Sequence, residues 1–191
     1  MSGMLSVVYF LFIVFFGFVT FVLWARIALR YVRISWLHPI AHTIAVLSDP
    51  VVQVFAGLIP QANSRSRRYD WPAFIVLVIT EVLKFICIGF LFLNSMLPIG
   101  LLLSYVVLDL VTQPCSLLMY AVILRVIMSW IQPAWQNPVA DVLYAITEPL
   151  LGAARKILPE LAGLDFSPVL VIVLLKTITL SISAILPLHL I

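Results

Sequence analysis

Charge is what this sequence has least of. Its 191 residues include 11 Lys and Arg and 8 Asp and Glu, 10% in all, where soluble domains carry about 25%. A water-soluble fold of this length would lack the polar surface to cover itself. Nucleic-acid readers, soluble enzymes and disordered tails are thereby excluded. Two cysteines give no disulfide framework. Cys87 and Cys115 stand about 10 and 17 residues from the turn near Asn94–Pro98, so their depths differ by roughly 10 Å, too far for a bond. Catalytic signatures are missing too: the chain has no Cys-x-x-Cys-His, no H-E-x-x-H, no glycine-rich phosphate loop and no G-x-S-x-G. Its seven glycines never fall as G-x-x-x-G, so no close-packing dimerisation face is written in. His38 and His42 stand at i,i+4 with no third local ligand but the more distant Asp49. No metal, no cofactor and no enzymatic activity are expected.

Apolar residues make up 64% of the chain and the mean hydropathy is +1.20. Leu5–Ala25 is free of charge and long enough for the roughly 20-residue span of a bilayer core. It lacks a basic leader and a small-residue cleavage site, so it reads as a retained helix. Three further stretches can cross: Trp71–Met96, Pro98 to about Leu124, and Ser167 to about Leu188. The expected fold is therefore an all-α membrane protein with four transmembrane helices. Nine of the eleven basic residues lie in the two long connections. By the positive-inside rule both connections face the cytoplasm and both termini face outside. Trp24, Trp36, Trp71, Trp130 and Trp135 fall near helix ends on that same side, as amphipathic rings in a headgroup layer would.

The chain also overlays itself at a shift of 99 residues. Arg26 meets Arg125, Trp36 meets Trp135, Pro39 meets Pro138, Asp49-Pro50 meets Glu148-Pro149, and Pro60 meets Pro159. After a small gap Asp70-Trp71-Pro72 meets Asp165-Phe166-Ser167-Pro168. The reading is a tandem duplication: residues 1–97 form one repeat and 98–191 the other, each a span, an interfacial segment and a second span. An even number of spans per copy makes the repeats parallel, with their pseudo-twofold axis along the membrane normal. The interfacial segments, 38–60 and 137–159, start at a cap and proline, Asn137-Pro138 in the second copy. Each meets an acidic-Pro pair ten or eleven residues later. Proline disfavours helical angles in the residue before it. Two short helices with a break at that pair are expected: an amphipathic hairpin that lies in the interface, dips in as a re-entrant element, or forms a soluble lid.

The residues that fill this pattern are distinctive. Trp130 follows Met128-Ser129, Asn137-Pro138 opens the segment, and Thr147-Glu148-Pro149 marks its middle. Arg155-Lys156-Ile157-Leu158-Pro159 and Asp165-Phe166-Ser167-Pro168 close it. In order and spacing these resemble the YggT family of small integral membrane proteins, called YlmG in plastids and cyanobacteria. The resemblance is strongest over residues 121–175 and weaker over 23–77. In the weaker part His38 stands for the usual Asn and Ala56-Gly57 for the basic pair, with Arg65, Arg67 and Arg68 as a displaced substitute. The resemblance implies a multi-pass protein of the bacterial inner membrane built from two repeats. It also implies links to osmotic and ionic stress tolerance, to division and nucleoid organisation, and to assembly of haem proteins in plastids.

Four charges fall inside the spans: Glu81, Lys84, Asp109 and Lys176. Each costs at least about 2.5–3.5 kcal/mol at mid-helix, so partners are expected. The repeat alignment sets Glu81 level with Lys176, and residue counting from the turn sets Lys84 level with Asp109. Two pairs, Glu81–Lys176 and Lys84–Asp109, are expected; an i,i+3 pair of Glu81 with Lys84 is the alternative. They serve either as a lock or as part of a proton or cation path. Arg26, Arg30 and Arg33 recur at helical spacing and, with Arg65, Arg67 and Arg68, form a basic surface for anionic lipid or an acidic protein partner. The expected partners are the bilayer, anionic lipid at its cytoplasmic face, other membrane proteins or further copies of the chain; nucleic acid is not among them. The expected role is to organise or help assemble other membrane components, with a small ion or osmolyte pathway as the alternative.

Overall fold

Long unbroken apolar runs leave the backbone nothing but itself to hydrogen-bond, and in lipid that favours helices. In the computed structural model, residues 3–56, 69–92, 96–131, 137–158 and 165–185 are described, and among them every regular element is an α-helix. The order is α1 (Gly3–Tyr31), α2 (Pro39–Ala56), α3 (Trp71–Leu91), α4 (Ile99–Ile131), α5 (Pro138–Ile157) and α6 (Ser167–Ile185). Of these, α1, α3, α4 and α6 are each long and apolar enough to cross a membrane. At 1.5 Å per residue, the 29 residues of α1 and 33 of α4 reach about 43 and 50 Å. Both outrun a hydrocarbon layer of about 30 Å. The arginines near their far ends, Arg26 and Arg125, therefore sit on helix and not in loop.

The shorter helices correct the expected hairpins. α2 and α5 each run straight through their proline, Pro50 and Pro149, as one helix of 18 and 20 residues. A proline removes one N–H and crowds the turn before it, but its fixed φ is itself helical. Just before each proline a hydroxyl bonds back to the preceding turn. Ser48 Oγ donates to the Ile44 carbonyl at 2.7 Å, and Thr147 Oγ1 donates to Leu143 at 2.6 Å. Asp49 and Glu148, expected to cap a second helix, are instead drawn to arginines. Genuine caps lie elsewhere. Asn137 Oδ1 accepts from Val139 N–H at 3.0 Å with Pro138 in the first turn of α5, and Asp70 Oδ1 accepts from Ala73 N–H at 3.3 Å at the start of α3.

The chain divides into two compact units, Met1–Tyr31 with Thr43–Leu110, and Val32–His42 with Val111–Ile191. In the first, Leu23 of α1, Val52 of α2 and Ala73, Val76 and Leu77 of α3 form the buried centre. In the second, Val122 of α4, Leu151 and Ala154 of α5, and Val171 and Leu175 of α6 do so. Within these centres Leu23 and Val122, and Val52 and Leu151, stand 99 residues apart, and Val76 and Val171 stand 95 apart. Each unit thus packs its short helix against two long ones through side chains of matching position. Lipid tails are as apolar as these centres, so burial alone does little to drive helices together in a membrane. Polar contacts have to decide how they associate.

Candidate functional site

The polar contacts concentrate where each short helix meets its long partners. In the first unit Arg26, buried on α1, donates through Nη1 to Ser48 Oγ at 2.6 Å and to Asp49 Oδ1 at 2.5 Å, both on α2. Its Nε donates to Asp70 Oδ2, the cap of α3, at 3.0 Å. Arg30, one helical turn on, reaches the same Asp70 oxygen at 2.8 Å. One guanidinium therefore ties three helices, and a second seals the buried acid. Planar forks suit this task, because the nitrogens can serve several acceptors at fixed angles.

The second unit builds the same device by a different route. Arg125 of α4 donates to Thr147 Oγ1 at 2.9 Å and to Glu148 Oε2 at 2.6 Å, and its guanidinium lies 4.2 Å from the Tyr144 ring centre. Arg155 of α5 donates to the other Glu148 oxygen at 2.8 Å and, through Nε, to Asp165 Oδ2 at 3.0 Å. Asp165 in turn accepts from the Ser167 N–H at 2.9 Å as α6 begins. The longer glutamate spreads its two oxygens between two arginines, so the ties run in series: α4 to α5 through Arg125, and α5 to the start of α6 through Arg155.

Each clamp holds two arginines against two carboxylates and is neutral. Arg26 and Arg125, Ser48 and Thr147, and Asp49 and Glu148 are each 99 residues apart; Asp70 and Asp165 are 95 apart. The second arginine alone breaks the correspondence. In the first unit it comes from position 30 on α1, whose counterpart is Ser129. In the second it comes from position 155 on α5, whose counterpart is Ala56. The basic residue that the first interfacial segment lacks is thus supplied from the long helix. The substitutes expected from sequence, Arg65, Arg67 and Arg68, lie outside the described residues, as do Trp135 and Pro159.

One expectation for the basic residues is corrected by this geometry. Arg26 and Arg30 do not form a lipid-facing stripe; they turn inward onto Asp49 and Asp70. Of that stripe Arg33 alone is exposed, at a left-handed φ of 60° just beyond the end of α1. Lys156 is exposed beside the inward-turned Arg155, and Trp130 is 82% exposed at the end of α4. Pro168 lies in the first turn of α6, after the buried Ser167. Arg125 and Ser48 belong to the site although the sequence does not mark them as site residues. An arginine matched to an arginine at a helix end, with an acid matched to an acid in the next segment, was the available signal.

The carboxylates of the clamps respond to their surroundings. Burial, the largest influence on Asp70, pushes its carboxyl up, but hydrogen bonds and charge from Arg30 and Arg26 outweigh it and hold it below the usual range. Glu148 is lowered, chiefly by its hydrogen bond from Arg125 and further by Arg155. For Asp165 burial again pushes up, and Ser167 and Arg155 together bring the carboxyl down. All three acids are ionised at neutral pH.

A second polar group lies within the first unit's spans. Lys84 of α3 pairs with Asp109 of α4 and, one turn back, with Glu81 Oε2 at 2.6 Å. Glu81 is fully buried, and Phe85, stacked on Tyr105 at 5.4 Å, closes over the lysine with its ring centre 4.6 Å from Nζ. Glu81 takes the i,i+3 partner on its own helix, and Lys176 lies exposed on α6. The Thr80 hydroxyl turns back on α3 to the Val76 carbonyl and, on α6, Thr177 to Val173, each at 2.8 Å.

Four membrane-length helices, with a pair of short helices clamped to them by arginine–carboxylate networks, define a small polytopic integral membrane protein. The chain belongs to the CCB3/YggT family, whose model matches residues 104–186. It is similar to YggT of Escherichia coli K12, with 25% identity over 167 residues, 87% of this chain and 84% of that one. An uncharacterized protein of Pseudomonas aeruginosa is 48% identical over 59 residues, 31% of this chain and 30% of that one. The ycf19 protein of Galdieria sulphuraria is 33% identical over 66 residues, 34% of this chain and 67% of that one. No solved structure matches the chain.

Proposed function

We propose that this protein is a non-enzymatic scaffold of the bacterial inner membrane that holds or helps assemble other membrane components. The observation that carries the reading is the repeated clamp. Two units of matching residue pattern each spend their strongest polar contacts on fixing one short helix against the spans. α2 then presents Val46, Leu47, Val51 and Val54 outward, and α5 presents Val139, Tyr144 and Ile157. A row of exposed apolar side chains on a rigidly held helix offers a partner a surface that needs no ordering on contact. A tandem duplication accounts for the coincidence of both clamps and both packed centres. The clamps lie at the ends of the spans that carry most of the arginines, the cytoplasmic side by the positive-inside rule. The termini then face outside.

The intramembrane Glu81, Lys84 and Asp109 favour a second reading, a small ion or osmolyte pathway relevant to osmotic balance. Ionisable groups inside a membrane are often functional. Against it, the acids are tied up by Lys84, and the Thr80 hydroxyl on the same helix serves its own backbone. Purified protein in liposomes separates the two. The scaffold reading expects no flux of protons, K⁺ or Na⁺ above empty vesicles, together with membrane proteins that co-purify from mild detergent and are lost when Val54 and Tyr144 are changed to Asp. Flux abolished by Glu81→Gln, with no such partners, overturns it.

A further inference from the structure

Lys176 is the one charge in the spans that the clamps and the Lys84 cluster leave over. It stands nine residues into α6 from Ser167, at a depth of about 14 Å, close to the middle of a hydrocarbon layer of about 30 Å. The residue is exposed, and among the described residues no acid pairs with its ammonium group. A lysine stem reaches about 6 Å, so snorkelling toward the Ser167 end leaves the charge several ångströms inside the apolar layer. An ammonium there costs at least about 2.5–3.5 kcal/mol without a partner. The neighbours complete the pattern. Val171 and Leu175 turn α6 onto its own unit, while Val169, Val173 and Leu180 are each more than half exposed. Residues 169, 173, 176 and 180 recur at steps of four, three and four, the spacing of the seam between two helices that cross at a shallow left-handed angle.

We propose that this stripe is the docking face for one transmembrane helix of another protein, an apolar helix carrying a single Asp or Glu level with Lys176. Charge complementarity selects that occupant. A second copy of the chain does not supply the acid: its own intramembrane carboxylates, Glu81 and Asp109, are buried against Lys84. The apolar residues of the stripe supply the packing, and the lysine sets register and depth, since any other alignment leaves two charges unpaired in lipid. This proposal rests on the scaffold reading and names one of the partners that reading requires.

The test uses the full chain in its native membrane, with photoreactive p-benzoylphenylalanine replacing Val173, which flanks Lys176 on the stripe. Irradiation is expected to give one discrete protein adduct whose cross-linked peptide is a membrane span containing an acid. Lys176→Met should cut its yield at least five-fold while leaving the melting temperature in detergent unchanged or higher, because no internal pair is lost. Lys176→Glu should abolish the adduct, and exchanging the partner's acid for Lys should restore it. Adducts with lipid only, with a second copy, or with another segment of the same chain overturn the proposal. So does an adduct indifferent to Lys176 or unrestored by the charge exchange. If partners still co-purify through α2 and α5 in any of those cases, the scaffold reading survives and the α6 docking face alone is wrong.

Discussion

Replacing Arg26 by Ala tests the clamp where it is most deeply set. The side chain is 10% exposed and makes charge-assisted bonds to Ser48, Asp49 and Asp70, the last with a side chain only 1% exposed. Breaking a buried pair by removing one partner costs about 3–5 kcal/mol. Arg30 remains on Asp70, so the lower end applies, about 3 kcal/mol. Arg125→Ala is the matched perturbation in the second unit, and it should cost less. Its acid, Glu148, has a side chain 52% exposed and keeps Arg155, so that pair is worth at most about 1 kcal/mol. The lost bond to the buried Thr147 hydroxyl adds about 0.5–1 kcal/mol, and leaving the Tyr144 ring adds about 0.5 kcal/mol. The expected difference of about 1 kcal/mol is roughly a five-fold difference in the folding constant. Equilibrium unfolding in mixed micelles titrated with SDS measures both. Arg26→Lys should recover only part of the loss, since an ammonium cannot serve three acceptors in one plane. Equal costs in the two units, or a larger cost for Arg125→Ala, would refute the burial argument.

Three further outcomes follow from the same geometry. Asp70, Glu148 and Asp165 all have carboxyls held below their ordinary range, so their contribution is fully present above the unfolded value of about 4 and is lost as pH falls through the lower folded values. Micelle-solubilised protein should thus show flat stability from pH 7 to about 4.5 and a decline below. Asp70→Asn should flatten that decline more than Asp165→Asn. Lys84→Met strands two buried acids and should cost about 3–5 kcal/mol; adding Glu81→Gln and Asp109→Asn should return at least half of it in the same SDS titration. Arg30→Ala should weaken the first unit while leaving exchange-protected amides of α5 unchanged, as read by hydrogen exchange.

Much of the fold was legible because a bilayer enforces length. Twenty or more apolar residues between charges marked α1, α3, α4 and α6, and Asn137-Pro138 marked the start of α5. Residue counting from the turn at 94–98 placed Lys84 level with Asp109, since both helices rise at one rate. What escaped the sequence was what each charge faces. Spacing of four put Arg26 and Arg30 on one stripe, and a stripe reads equally well turned to lipid or turned to a neighbouring helix. Their targets, Asp49 and Asp70, are distant in the chain. The break expected at Asp49-Pro50 and Glu148-Pro149 failed for the same reason. Local preference of the residue before proline is worth little beside a guanidinium that grips the acid. Repeat symmetry says nothing of a partner on the same helix, and Glu81 takes the i,i+3 lysine one turn on.

The two clamps draw their second arginine from different helices, Arg30 on α1 in the first unit and Arg155 on α5 in the second. Arg155→Ala removes it from the second unit, and Ser129→Arg replants it at the position Arg30 holds in the first. Unfolding of the single and double variants in SDS–micelle titrations measures this directly. Arg155→Ala should lower stability and adding Ser129→Arg should restore most of the loss, while Ser129→Arg alone changes little. A double variant no more stable than Arg155→Ala would contradict this.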